Sequence, residues 1–458
     1  MFNDFNKLLI LKKQTMNKKL IFAIFIASVM AVSCSKKDTA KDPGTDTSLT
    51  NPTYTDKTDV QIKSDLESTG TQMVSQLQSL DNEKGTSAAV SLLSLLSSSN
   101  TSSTIKNSSA LKTLGTIAAV SQRKSGAKEL ATRLKAAGSD PVLTDEFDSI
   151  AGTYTYNFDT KDFDFVADPT KDIIILFPAS DASKTSMLND GTIDIARPTV
   201  LKGSFTYGDA VITELPKSLG FTVKVGTEQV ISYSFTAAYN ADGVPTDVKS
   251  DLNIGTFLFE ITWGYHSADL SVNYLFKHAA TTILDLGVEL KGNFDKSKII
   301  ALDTTENPDP TQVLTNANAH FQFMDVKIAG TMDFKSMWSD MNAIKDDSSR
   351  AINETAVMNK DIQLVIFYVS TGKAIAKAEF YVKYYTYYGY QYNNDGGYTY
   401  SQITDRSTDV KLVFKEGSKA TLKAYFNDGF DSLITDINTF IKQLNDNHGL
   451  NLKPVTKG

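Results

Sequence analysis

Cysteine is nearly missing from this chain: Cys34 is the one thiol in 458 residues. No intramolecular disulfide can form, so core burial must hold the fold together. Histidine is scarce as well. His266, His278, His320 and His448 never stand at the spacing of metal ligands, so no metal is expected. The acid-rich turns Asp242 to Asp251 and Asp303 to Asp309 lack the regular oxygen-ligand pattern of a calcium loop. Basic residues are outnumbered, 46 against 53, for a net charge of −7. That excludes a general nucleic-acid or anionic-membrane binder, which needs a basic face. Catalytic motifs are absent too. There is no Gly-x-Ser-x-Gly, no His-Glu-x-x-His and no phosphate-cradling glycine loop. No cofactor is expected, and a non-enzymatic protein is the leading expectation. Paired carboxylates for glycoside hydrolysis need not be neighbours in sequence, so a hydrolase stays as a lesser alternative.

What is present begins at the N-terminus. Lys18 and Lys19 precede an apolar run from Leu20 to Val32, then Ser33 and Cys34. A run of about a dozen residues is too short to cross roughly 30 Å of hydrocarbon. A cationic start, a short apolar core and a small residue before the cut make a secretory signal. Met16 alone begins a complete signal, so the start is either Met1 or Met16. With Cys34 directly after Ser33, the segment resembles the lipobox of bacterial lipoproteins, although Ala31 stands where most members have leucine. The resemblance implies that Cys34 is diacylated and becomes the new N-terminus after cleavage, with residues 1–33 removed. It implies a membrane partner reached through the lipid on Cys34. Ser35, in place of an aspartate, implies the outer membrane, with the periplasmic or the outer surface left open. Removing residues 1–33 takes away five lysines and one aspartate, which leaves 41 basic and 52 acidic residues and a net charge of −11.

Residues 34–57 are polar, rich in Thr, Asp and Pro, and predict a solvated tether. Residues 58–140 predict helices. Val60, Ile62, Leu66, Met73, Leu77 and Leu80 make one stripe, with Asp59 as a cap. Ser87 to Leu96, Ala110 to Val120 and Ala127 to Ala137 are further helical stretches. This segment forms either a layer over the later sheet or a lid.

Residues 141–458 change to a period of two. Tyr154, Tyr156 and Phe158 alternate with polar residues, and so do Phe257, Phe259, Ile261 and Trp263. Connections are short, so neighbouring strands should pair antiparallel. Glycines in the similar stretches at Gly203, Gly292 and Gly330 suggest bulges. Phe334, Met337, Trp338 and Met341 return to helical spacing, with Asp333 as a cap. Phe426, Phe430, Leu433, Ile437, Ile441 and Leu444 form the stripe of a closing amphipathic helix. The fold expected is α+β: N-terminal helices, a large curved antiparallel sheet, and a C-terminal helix packed on that sheet.

Tyr381 to Tyr400 is the one local anomaly, a tyrosine-rich hairpin around Asn393 to Gly397. Its rings either pair across the strands or offer a face to a ligand. Tyr385, Tyr387, Tyr390 and Tyr392 are the candidate contacts, with the alternation interrupted at Gly389. The function expected is an envelope-anchored binding or structural lipoprotein, holding an apolar or lipid ligand between helices and sheet. The alternative is a glycan-binding surface lipoprotein that uses the tyrosine hairpin.

Overall fold

Two-residue alternation runs from Gly152 to Thr421, and it builds one sheet. The computed structural model describes residues 47–98, 143–207, 210–304, 308–345, 349–392, 398–421, 424–425, 431–448 and 453–455. Residues 1–33, expected to be a signal, Cys34, and the stretches at Ala110 to Val120 and Ala127 to Ala137 lie outside the described residues. So do the turn at Asn393 to Gly397, Phe426, Phe430 and the side chain of Leu444.

The described helices are α1 (Thr47–Thr50), α2 (Asp59–Asp81), α3 (Lys84–Ser98), α4 (Leu143–Ile150), α5 (Asp181–Thr185), α6 (Lys296–Thr304), α7 (Phe334–Ala343), α8 (Arg350–Asp361) and α9 (Asp431–His448). The strands are β1 (Gly152–Asn157), β2 (Asp162–Ala167), β3 (Ile173–Phe177), β4 (Gly191–Tyr207), β5 (Ala210–Val225), β6 (Glu228–Tyr239), β7 (Pro245–Ile254) and β8 (Phe257–Tyr265). They continue as β9 (Asp269–His278), β10 (Thr281–Gly292), β11 (Leu314–Phe323), β12 (Val326–Asp333), β13 (Ile362–Tyr368), β14 (Ala374–Tyr392), β15 (Tyr398–Phe414) and β16 (Lys419–Thr421). The protein is α+β and mostly β, with one open sheet of sixteen strands.

From β16 back to β3 each strand lies beside its sequence neighbour, and every pairing is antiparallel. The expectation of antiparallel pairing throughout fails at one end, where β1 lies between β2 and β3 and pairs parallel with β3. The chain leaves β2 and loops tightly around the start of β1, held by Asp168 N–H on Ala151 O (2.9 Å). Gly152 permits this: its φ is 139°, and a Cβ would lie 2.2 Å from Val166 O. Of the three glycines read as bulges, Gly203 and Gly292 sit at register shifts, whereas Gly330 lies in an unbroken ladder.

Register separates the two faces. Phe235, Ser250, Ile261, Tyr274, Leu286, Phe321, Ile328 and Ile366 follow one another across β6 to β13 on one face. Asp251, Glu260, Leu275, Asp285, Gln322 and Lys327 follow one another on the other. The apolar face carries two buried cores. In one, α3 and α4 put Ala88, Leu95 and Phe147 against Tyr154, Phe177, Ile193 and Ile231. In the other, Ile62 of α2 meets Ile366, Tyr368, Leu412 and Phe414. A smaller core joins Leu302 of α6 to Leu270, Phe294 and Val313.

Residues 47–57 depart from the expected tether. Leu49 is buried against Ala329, Val365 and Ala374. Tyr54 bridges to Ala374, with Thr55 N–H on Ala374 O and Ala374 N–H on Thr53 O, both 2.8 Å. A polar composition hid a strap, because its bonds are made by the backbone. The cap of α2 is Thr58 rather than Asp59: its hydroxyl accepts from Gln61 N–H, and the Gln61 side chain accepts from Thr58 N–H. Asp333 caps α7 as expected.

The helix α9 meets α2 where the sequence pattern suggested the sheet. Leu433 packs over Gly70, the Thr71 hydroxyl donates to Asp436 (3.0 Å), and the Gln78 amide donates to Gln443 (3.3 Å). The absent Cβ of Gly70 leaves room for Leu433, and α2 thereby supplies the apolar partner that α9 needs.

Candidate functional site

Two features stand apart from the buried cores. The first is the middle of the apolar face. Phe259, Ile261, Trp263, Val272, Tyr274, Phe276, Leu286, Val288 and Phe321 are half-buried there. None of them belongs to the cores formed by α2, α3, α4 and α6. Their rings order one another: Phe259 stacks on Phe276 at 4.3 Å and Trp263 on Tyr265 at 6.3 Å. Burial pushes the Tyr274 phenol up. At one rim α2 crosses this region, where Gln76 meets His278, and just beyond its end Glu83 accepts from the Thr256 hydroxyl at 2.7 Å.

The second feature is the tyrosine hairpin. The register of β13 with β14 ends at Val365 and Lys377, while β14 and β15 stay paired out to Tyr392 and Tyr398. Beyond its base the hairpin is therefore a two-stranded arm, and Lys383 to Tyr392 extends roughly 30 Å at the usual rise per residue. Its base is pinned by α8. The Asn359 amide donates to Phe380 O and accepts from Phe380 N–H, both at 2.8 Å.

Pairing runs through Gly389 without a register shift, so alternation is not interrupted there. The four tyrosines read from the sequence do not share a face. Tyr385 and Tyr387 lie on one face, with ring centroids 6.2 Å apart and the Tyr385 hydroxyl on Asp405 (2.9 Å). Tyr390 lies on the other, together with Tyr384, Tyr388 and Tyr400. Tyr392 follows them in register, but its side chain lies outside the described residues. Tyr400 stacks on Tyr388 at 6.0 Å and tilts against Tyr390 at 5.0 Å. These rings are open to solvent: Tyr388 is 66% exposed, Tyr390 72% and Tyr400 60%. Thr386, Gln402 and Thr404 share that face by register. The sequence signal for Tyr388 and Tyr400 was strict alternation, obscured by treating Gly389 as a break.

The histidines are placed apart. His266 lies 3.3 Å from Asp247, His278 faces Gln76, and His320 lies 3.1 Å from Asp285; the His448 side chain lies outside the described residues. Burial pushes the Asp285 carboxyl up, but the hydrogen bond and charge of His320 outweigh it and hold it below the usual carboxylate range. On the same polar face Lys249 joins Asp251 (2.5 Å) and Glu260 (2.9 Å). No described helix is long and apolar enough to cross a membrane.

No family model, curated protein or solved structure matches this chain.

Proposed function

We propose that the chain is an envelope-anchored, non-enzymatic binding protein that holds an apolar ligand of the acyl-chain class against the middle of its sheet. Cys34 carries the lipid that attaches it to the bacterial envelope, at the outer membrane. The observation that carries the binding reading is the half-buried apolar surface over β8 to β11, which lies between two cores yet belongs to neither. Leaving that much apolar area partly wet costs roughly 25 cal/mol per Å2. A ligand that covers it recovers this energy.

Native mass spectrometry of the full chain, purified gently from its own envelope fraction, tests the proposal. A bound lipid is expected. In parallel, Trp263 stands on the apolar surface and the other tryptophan, Trp338, stands on α7. In a Trp338→Phe background, oleate should shift the Trp263 emission to the blue. A clean apo mass together with an unmoved emission overturns the reading.

The tyrosine arm favours a second reading, glycan binding. Three exposed rings about one sugar ring apart, beside threonine and glutamine, suit stacking on the C–H faces of a polysaccharide with hydrogen bonds to its hydroxyls. Pull-down on insoluble polysaccharides, with Tyr388→Ala/Tyr390→Ala as the comparison, tests it. Equal retention of both proteins, or of neither, excludes the arm as the contact.

A further inference from the structure

The rim opposite the one crossed by α2 holds a cleft of about 360 Å3. Three segments border it: the β6–β7 turn, the β8–β9 turn and the segment entering α6. Tyr265 supplies aromatic surface, backed by the buried Phe294. Asp242, Lys296, His266 and Asn240 supply polar groups around it.

The cleft is braced from several directions. The Tyr265 hydroxyl donates to Phe294 O at 2.8 Å, and Phe294 N–H donates to Ser267 O at 2.7 Å. The Asn240 Oδ1 accepts from Asp242 N–H (3.0 Å) and Val244 N–H (2.9 Å). That fixes the turn and leaves the Asn240 Nδ2 as a donor. Gly243 adopts φ 77°, and Phe205 packs so close that a Cβ there would lie 2.5 Å from its ring. The site is thus preformed, as small-molecule sites usually are.

Its polar groups are available. Lys296 and Asp242 pair at 2.7 Å, and both side chains are more than half exposed, so a ligand hydroxyl can replace either partner at little cost. The carboxylate accepts, and the ammonium and amide donate. Together they match the alternating donor and acceptor pattern of neighbouring hydroxyls, with Tyr265 available for the apolar face of the ring. Phosphate is disfavoured, because Asp295 lines the cleft as well and Asp247 stands beside His266. An acyl chain is disfavoured by the charged groups of Asp242, Asp295 and Lys296 around the cleft. The volume lies at the lower end of the range for small-ligand sites.

We infer that this cleft binds one neutral sugar ring. The inference does not depend on the apolar-ligand reading. The cleft lies on the rim past which the tyrosine arm projects, about six strand spacings or roughly 30 Å away, so one side of the sheet carries both saccharide contacts.

Saturation-transfer NMR on the full chain with glucose, galactose, mannose, fucose and N-acetylglucosamine tests it. At least one sugar should receive saturation. Asp242→Ala/Lys296→Met should weaken that binding by at least roughly tenfold, the loss of two charged hydrogen bonds, with an unchanged melting curve because the pair is exposed. Tyr388→Ala/Tyr390→Ala should leave it intact, which separates the cleft from the arm. No transfer to any of the five sugars, or transfer that survives in the Asp242→Ala/Lys296→Met protein, overturns the inference.

Discussion

The Tyr368 hydroxyl donates to Asp65 at 2.6 Å and so ties α2 to β13. Lys57 reaches the same carboxylate oxygen at 2.7 Å, with its ammonium 4.5 Å from the Tyr368 ring centroid. Burial and the neighbouring carboxylate push the Tyr368 phenol far above its ordinary range. Tyr368 is 4% exposed, so Tyr368→Phe removes a charge-assisted bond from a buried place. It should cost about 1–2 kcal/mol in urea unfolding.

Asp65 gives this contact a pH dependence. Burial pushes its carboxyl up, but the hydrogen bonds from Lys57 and Tyr368 win and hold it below the usual range. A depressed carboxylate stabilises the fold above its unfolded value, near pH 4, and that contribution is lost as pH falls through the folded value. Wild type should therefore lose stability below about pH 4 more steeply than Asp65→Asn, as read from melting temperature against pH.

Gly287 faces His320 directly across β10 and β11. A Cβ on Gly287 would meet the His320 ring at 1.9 Å. The ring must swing away and give up Asp285. Gly287→Ala should destabilise by about 2 kcal/mol. In a His320→Ala background the same change should cost less than about 1 kcal/mol, because the clash is gone. Equal costs in the two backgrounds would show that the ring is not the obstacle.

The arm tyrosines contribute little to global stability, since their rings pack on one another in solvent. Tyr388→Ala/Tyr390→Ala/Tyr400→Ala should leave the melting temperature unchanged and speed amide exchange within β14 and β15 alone. Cross-strand aromatic pairs of this kind contribute only about 0.2–1 kcal/mol each. A global loss would assign the rings to the fold rather than to a ligand.

The proposed lipid anchor is tested by Cys34→Ser, which removes its one candidate acceptor thiol. The full chain should then pass from the membrane fraction to the soluble fraction and lose incorporation of labelled palmitate. A variant that stays with the membrane would place the attachment elsewhere in the chain.

Much of the fold was legible because its causes are local. Alternation placed β1 and β8, and 3.6-residue spacing with Asp333 placed α7. The polar stretch before Asp361 has no place among those signals. It forms α8 (Arg350–Asp361), in which Met358 and Thr355 are buried and the Thr355 hydroxyl meets that of Thr408 on β15. The exposed arm was legible as a tyrosine hairpin, but its division into two faces was not. That depends on a register held through Gly389 by a partner strand.

By itself the sequence determined the signal-like start at Met16 to Cys34, the two-residue period of the body and the turns between strands. Each is set by residues within a few positions of one another. Tertiary structure alone decided that residues 47–57 strap onto the sheet, that β3 returns beside β1, and that α9 seats on α2. These depend on which distant backbone or apolar surface is left free once the strands have paired, and no short window of sequence contains that information.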